Sequence, residues 1–209
     1  VPAGLKIIRV GKSATIYSGD SFAKVTMGWN LGKKIRRILA EEQFDLLHIQ
    51  SALQPNLPIM FQKYSNTVTV GTFHSYFSSS LFYRTFRSPL QRYLEKLDGR
   101  IAVSPSCVEA MGRYFDVDFR IIPNGVDTAG FGQAASPVAA YMDGAPNILY
   151  LGRLDPRNGV DILLDAFPKI LRKIPDARLL VVGDGPLRRY YERRAGTLHN
   201  KQIFFEGQP

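Results

Sequence analysis

Short, mostly uncharged runs of apolar and β-branched residues alternate along the chain with longer stretches of helical periodicity. The runs fall at residues 5–10, 45–50, 67–73, 100–103, 119–122, 147–151, 178–182 and 202–205. Residues 67–73, TVTVGTF, carry no charge, which predicts a strand covered on both faces, as in a parallel sheet. In residues 29–42, Leu31, Ile35, Ile38 and Leu39 recur on one helical face, while Lys33, Lys34, Arg36 and Arg37 populate the others. Residues 159–174 repeat that spacing with Val160, Leu163, Leu164, Phe167, Ile170, Leu171 and Ile174. Ser104-Pro105 reads as a helix N-cap followed by proline in the first turn. This β-α-β-α rhythm predicts an α/β fold with parallel, doubly wound sheets.

One stretch breaks the rhythm. Residues 128–146, TAGFGQAASPVAAYMDGAP, are rich in Gly, Ala and Pro and weak in periodicity, so they read as a linker. The organisation expected is a first unit over 1–127, the linker over 128–146, and a second unit over 147–209 with three strands. No run approaches the roughly 20 apolar residues of a membrane-spanning helix. The single cysteine, Cys107, excludes an internal disulfide framework and fits a reducing compartment. A formal charge of +9 changes the picture more: it favours an anionic partner, whether nucleic acid, membrane surface or a phosphorylated small molecule.

Candidate chemistry gathers where strands end. His74 follows directly on the strand at 67–73, in the sequence FHSYFSSS, and ligands in open α/β sheets sit beyond the carboxyl ends of strands. The alternative is a histidine hydrogen-bonded in a loop. In the second unit, NILYLGRLDPRNGV gives a strand, a turn at Gly152 and a helix start, with Arg153 and Arg157 close by. Two guanidinium forks beside a helix N-terminus suit a diphosphate; two solvated arginines are the plainer reading. Asn158 sits where it can cap that helix. LLVVGDGPL repeats the pattern: Gly183 and Gly185 permit close backbone approach to a ligand, and Asp184 offers an acceptor. No G-x-G-x-x-G occurs, which argues against a dinucleotide. His48, His74 and His199 lie far apart in sequence and suggest no metal site.

Taken in order, Thr-Phe-His, Val-Ser-x-Ser, Ile-Pro-Asn-Gly-Val-Asp, Leu-Gly-Arg and Val-Gly-Asp-Gly-Pro resemble the group 1, glycogen-synthase-like retaining glycosyltransferases. Within them the chain is most similar to the bacterial phosphatidylinositol mannosyltransferases, over nearly its whole length. The resemblance implies the type B architecture of two Rossmann-like domains, both incomplete here. It implies hexosyl transfer, with mannose favoured, from a nucleotide diphosphate sugar to a phosphatidylinositol-like lipid with retention. GDP-mannose is the favoured donor, and no cofactor or metal is expected. By the same resemblance His74 lies against the transferred sugar and Arg153 grips the donor diphosphate. Arg157, Asn158, Gly183, Asp184, Gly185 and Pro209 are the further donor-binding candidates. Tyr17, Ser18 and Lys24 match the residues that hold the inositol phosphate head group, with Ser for the family's Asn and Lys for its Arg. Asn158 stands where the family usually carries lysine.

The family's first glycine-rich loop and its late pair of glutamates do not occur in this chain. The resemblance therefore implies a longer enzyme, and the expectation that these 209 residues alone are catalytically silent. Basic and aromatic residues interleave at Phe22, Lys24, Met27 and Trp29 through Arg37, and again across residues 76–93. That mixture suits an anionic bilayer surface and equally a single-stranded nucleic acid. The glycosyltransferase resemblance favours the membrane, and implies a cytoplasmic protein associated with the inner face of the membrane and binding no nucleic acid. Other glycolipid or polysaccharide transferases share most of these motifs. A non-catalytic α/β module that binds nucleotide or polyanion is the reading from a different class.

Overall fold

A computed structural model describes residues 4–18, 21–77, 79–132 and 136–208; the side chains of 17, 18 and 21–23 lie outside the description. The main division of the chain falls between Val126 and Asp127, giving two compact units.

The first unit starts with two paired strands, β1 (Lys12–Ser18) and β2 (Ser21–Met27), followed by helix α1 (Leu31–Glu42). Strand β3 (Leu46–Gln50), helix α2 (Leu57–Tyr64), strand β4 (Val68–Phe73), helices α3 (Leu81–Thr85) and α4 (Arg87–Glu95), strand β5 (Gly99–Ala102), helix α5 (Pro105–Gly112) and strand β6 (Arg120–Ile121) complete it. The four later strands form one parallel sheet in the order β3-β4-β5-β6. Its core joins Phe73 and Ala102 to Leu90, Leu94, Cys107, Met111 and Phe115. As the spacing predicts, Leu31 and Ile35 of α1 are buried while Lys33, Lys34, Arg36 and Arg37 are exposed. Ser104 caps α5 by accepting from the Cys107 N–H at 3.2 Å.

Residues 5–10 form no strand; the strand lies later, at Lys12–Ser18. Leu5 and Ile7 stay exposed, while Ile8 and Val10 line a hollow with Ile38, Phe44 and Phe61. An apolar run makes a strand only where a neighbour supplies the hydrogen-bond ladder. Much of the aromatic set at 76–93 also turns inward. Phe77, Phe82, Tyr83 and Tyr93 pack against the core, and the Tyr83 ring sits 5.3 Å from that of Phe115. Burial pushes the Tyr83 hydroxyl up to about 12, so it stays protonated. Tyr76 and Phe86 remain exposed.

The second unit begins with a short helix, α6 (Thr128–Phe131), inside the stretch expected to be a linker. A single 3₁₀ turn at Ala139–Tyr141 follows. That turn is fastened down: Asn147 Nδ2 donates to the Tyr141 carbonyl at 3.0 Å, and the Arg178 guanidinium lies 5.2 Å over the Tyr141 ring. Three parallel strands, β7 (Asn147–Leu151), β8 (Arg178–Val182) and β9 (Ile203–Gly207), alternate with helices α7 (Val160–Leu171) and α8 (Arg188–Ala195). Val160, Leu164 and Phe167 of α7 meet Leu179 and Val181 of β8 in the second core. The first strand of each parallel sheet is covered on one side only, as the exposure of Leu46, Leu149 and Leu151 shows. Both strands lie at an edge of their sheet.

Candidate functional site

The carboxyl end of β4 is held from both sides. Ser51 N–H donates to the Thr72 carbonyl at 2.7 Å and Val103 N–H to the Phe73 carbonyl at 3.2 Å. Cys107 Sγ adds a third hold on Phe73, donating to the same carbonyl at 3.2 Å. Burial raises the Cys107 thiol, so it remains a protonated donor rather than a reactive thiolate. His74 leaves the sheet from this fixed point with its side chain exposed. It is not solitary: its Nε2 lies 2.5 Å from Oε1 of Gln50, the last residue of β3. Gln50 Nε2 in turn lies 3.2 Å from His48 Nε2, and His48 Nε2 lies 2.6 Å from Thr72 Oγ1. Two histidines that the sequence separates are thus joined through one amide. The signal was present as His-x-Gln at spacing two, which places both side chains on one face of a strand.

The second unit presents two loops at the carboxyl ends of β7 and β8, and they are built against each other. Gly152 N–H donates to the Val182 carbonyl at 3.0 Å, and Leu154 N–H to the Asp184 carbonyl at 3.0 Å. Gly183 has φ +139, and a Cβ there would stand 2.0 Å from the Gly152 carbonyl oxygen. At Gly185 a Cβ would stand 2.4 Å from the Leu154 carbonyl oxygen. The close approach these glycines permit is therefore, in this structure, that of one loop to the other. Asp184 Oδ1 accepts from the Gly185 N–H at 2.7 Å, which shapes the turn.

Arg153 is half exposed, and its guanidinium lies 3.4 Å from the carboxylate of the buried Asp155. Its backbone carbonyl accepts from Asn158 Nδ2 at 2.8 Å and from the Tyr150 hydroxyl at 3.0 Å. Asn158 is therefore not the cap of α7: that position belongs to Gly159, in the left-handed region at φ 76, and Asn158 pins the arginine loop instead. The side chain is short enough to close back on Arg153, and the glycine makes the turn into the helix. Arg157 is exposed on the single 3₁₀ turn Pro156–Asn158. Pro209 lies outside the described residues.

Lys24 is exposed on β2, while the side chains of Tyr17 and Ser18 lie outside the description. Close by in sequence, α1 carries its four basic residues outward. Arg37 pairs with Glu41 at 2.6 Å, and the Arg36 guanidinium lies 4.7 Å over the Tyr64 ring. Trp29, just before the helix, is 93% exposed. No helix among the described residues is long and apolar enough to cross a membrane.

Two α/β units of parallel strands are the architecture of a type B glycosyltransferase. The family-level match is direct: residues 7–129 match the model for Glycosyltransferase Family 4, and residues 145–208 that for Glycosyl transferases group 1. The chain belongs to the family 4 glycosyltransferases. A phosphatidyl-myo-inositol mannosyltransferase of Mycolicibacterium smegmatis is 36% identical over 188 residues, covering 86% of this chain and 46% of the relative. A GDP-mannose-dependent alpha-(1-6)-phosphatidylinositol monomannoside mannosyltransferase of the same organism is 35% identical over 95 residues, covering 42% of this chain and 25% of the relative. The chain spans about half the length of the first of these. Among solved structures, a mutant of TarM from S. aureus, in complex with fondaparinux, alpha-GlcNAc-glycerol and UDP, aligns with a TM-score of 0.65. At 15% identity, over 90% of this chain and 38% of that one, it speaks for the fold.

Proposed function

We propose that this protein is a retaining hexosyltransferase that moves mannose from GDP-mannose to a phosphatidylinositol-like lipid. The observation that carries this reading is the likeness, over most of the chain, to phosphatidyl-myo-inositol mannosyltransferase. The sites described above supply matching chemistry. His74, at the end of a parallel strand, presents a ring nitrogen for the transferred sugar. Arg153, steadied by the Asp155 carboxylate and by the loop contacts of its own carbonyl, offers two parallel N–H groups to the donor diphosphate. The developing charge on the leaving diphosphate is offset by that guanidinium, by Arg157 and by the amide groups at the start of α7. Gly183, Asp184, Gly185 and Asn158 shape the loops around this position, with Pro209 a further donor contact. Tyr17, Ser18 and Lys24 hold the inositol phosphate, Lys24 as a point charge rather than a fork.

A transfer assay with radiolabelled GDP-, UDP- and ADP-sugars and phosphatidylinositol, run on the intact protein, tests the reading. Product from GDP-mannose alone, with the anomeric configuration kept, supports it; transfer from another donor only, or none, overturns it. Within that scheme Arg153→Ala should weaken donor binding by one to two decades, since a charge-assisted hydrogen bond contributes about 1.5–3 kcal/mol. Calorimetry with the nucleoside diphosphate measures this, and unchanged affinity removes Arg153 from the site.

The lipid acceptor needs a protein that works at a membrane surface. Lys33, Lys34, Arg36 and Arg37 on the outward face of α1, beside the exposed Trp29, are the surface we assign to it. Each basic residue near an anionic bilayer contributes about 1 kcal/mol. Reversing all four to Glu should abolish co-sedimentation with phosphatidylinositol-containing liposomes and leave nucleotide binding intact. Retained sedimentation would move the membrane contact elsewhere.

A further inference from the structure

We propose that Gln50 is a positioning residue for His74: its amide fixes which ring nitrogen of His74 carries the proton, and His48 fixes the amide. The geometry begins with register. In the parallel pair β3-β4, Gln50 lies beside Thr72 and His48 beside Val70. Side chains two residues apart share a face of a strand, so His48 and Gln50 of β3 share one face, and Thr72 of β4 lies on the same face as Gln50; His74 follows one residue beyond the end of β4. The four polar side chains then form one chain of contacts, His74 to Gln50 at 2.5 Å, Gln50 to His48 at 3.2 Å and His48 to Thr72 at 2.6 Å. The next pair back along this face is Leu46 and Val68, both apolar, so the polar group is confined to the carboxyl end of the strands. That is the end at which an open α/β sheet places its ligand.

The donors follow from the chemistry of an amide. Gln50 Oε1 only accepts, so the 2.5 Å contact requires the proton on His74 Nε2, which in the neutral ring leaves Nδ1 as the acceptor. Gln50 Nε2 only donates, so its contact with His48 requires His48 Nε2 to be unprotonated, with the ring proton on Nδ1. With that nitrogen unprotonated, the Thr72 hydroxyl is left as the donor in the 2.6 Å contact between them. Had His48 carried its proton on Nε2, that nitrogen would face the amide NH₂ of Gln50 donor to donor. The amide would turn over, and His74 would be left accepting on Nε2 and protonated on Nδ1. The state of His48 is therefore transmitted through Gln50 to the face that His74 offers a ligand. A residue that sets the tautomer of a second residue in this way acts on the hydrogen bonds the second one can make.

The effect on turnover rests on the hexosyltransferase reading above; the tautomer does not. The test uses the protein labelled with ¹⁵N-histidine, without substrate, and reads the Nδ1 and Nε2 shifts of His74. The wild type should sit at the limit for a proton on Nε2. Gln50→Leu should move both shifts toward the average of two tautomers, and His48→Leu should move them the same way by less. Both side chains are exposed, so neither change should shift the thermal midpoint appreciably. In the transfer assay Gln50→Leu should lower kcat about tenfold with the donor KM nearly unchanged. A wild-type ring protonated on Nδ1, or shifts that ignore the loss of Gln50, overturns the proposal even if transfer is confirmed. Should the protein transfer no sugar, the nitrogen shifts still decide whether Gln50 positions His74.

Discussion

His74→Ala is expected to reduce sugar transfer a hundredfold or more while leaving the thermal midpoint within about 2 °C of the wild type. The side chain is exposed and leaves from the end of β4, outside the core, and substitutions at such places usually change stability by no more than about 0.5 kcal/mol. Among the described residues its ring bonds to Gln50, also exposed, so losing that contact leaves no buried group there without a partner. Activity should respond quite differently. A positioned donor or acceptor at a reacting centre is worth roughly 10²–10³ in kcat, because it acts where charge develops in the transition state. A paired measurement of kcat and melting temperature on the same preparation separates the two roles. If activity falls only in proportion to a large stability loss, His74 is a loop residue held by Gln50, and the reacting centre lies elsewhere.

Where the sequence foretold the fold, it did so through local signals strong enough to act alone. The runs NILYL and RLLVV are uncharged or nearly so, are followed by glycine, and form β7 and β8 at those bounds. In the apolar stripe of α1, Leu31 and Ile35 are buried and Ile38 and Leu39 half-buried, as the spacing requires, and Ser104 caps α5 through its own hydroxyl. The paired strands β1 and β2 gave no such signal. KSATIYS and SFAKVTM mix polar and apolar residues, and the Gly-Asp between them is a weaker hairpin signal than Asn-Gly. At residues 5–10 the reverse occurred, since an apolar run is not sufficient without a neighbouring ladder. The aromatic residues at 76–93 read as an interfacial mixture because composition cannot tell which ring turns inward. Helix α4 and the packing of Tyr83 on Phe115 decide that, and both depend on contacts distant in the chain.

The candidate site divides along the same line. His74 and the glycine loops were legible because each is a short motif at the end of a strand. Gln50 and His48 were not, because their meaning lies in the register of β3 against β4, which places Gln50 beside Thr72. Asn158 illustrates a finer limit. Its position before a helix reads as a cap, yet the conformation of Gly159 takes that role and the asparagine closes on the Arg153 carbonyl. Which of two adjacent residues makes the turn is a matter of backbone angles that side-chain type does not specify.

Gly183→Ala should unfold the second unit or lower its thermal midpoint by more than about 10 °C. Two costs combine. The backbone at Gly183 has φ +139, a region that residues with a Cβ rarely occupy, and holding one there costs on the order of 1–3 kcal/mol. The added Cβ would also stand 2.0 Å from the Gly152 carbonyl oxygen, and what it meets is backbone rather than a flexible side chain. Relieving such overpacking typically costs another 1–3 kcal/mol. The loop cannot yield easily, because Gly183 N–H donates to the Gly207 carbonyl at 2.5 Å and Leu154 N–H to that of Asp184 at 3.0 Å. For a unit of this size each kcal/mol lowers the midpoint by about 4–8 °C. Gly144→Ala is the control: its φ is +84, but nothing lies within 4 Å of the new Cβ. That variant should show backbone strain alone, of about 1 kcal/mol. Because the clash falls on the loop that carries Arg153, nucleotide binding by Gly183→Ala should weaken at temperatures where the unit is still folded. Calorimetric melting of the wild type and both variants, followed by nucleotide titration below the lowest midpoint, checks both parts. If Gly183→Ala melts with Gly144→Ala, the two loops are free to part, and their contact is not what holds Arg153 in place.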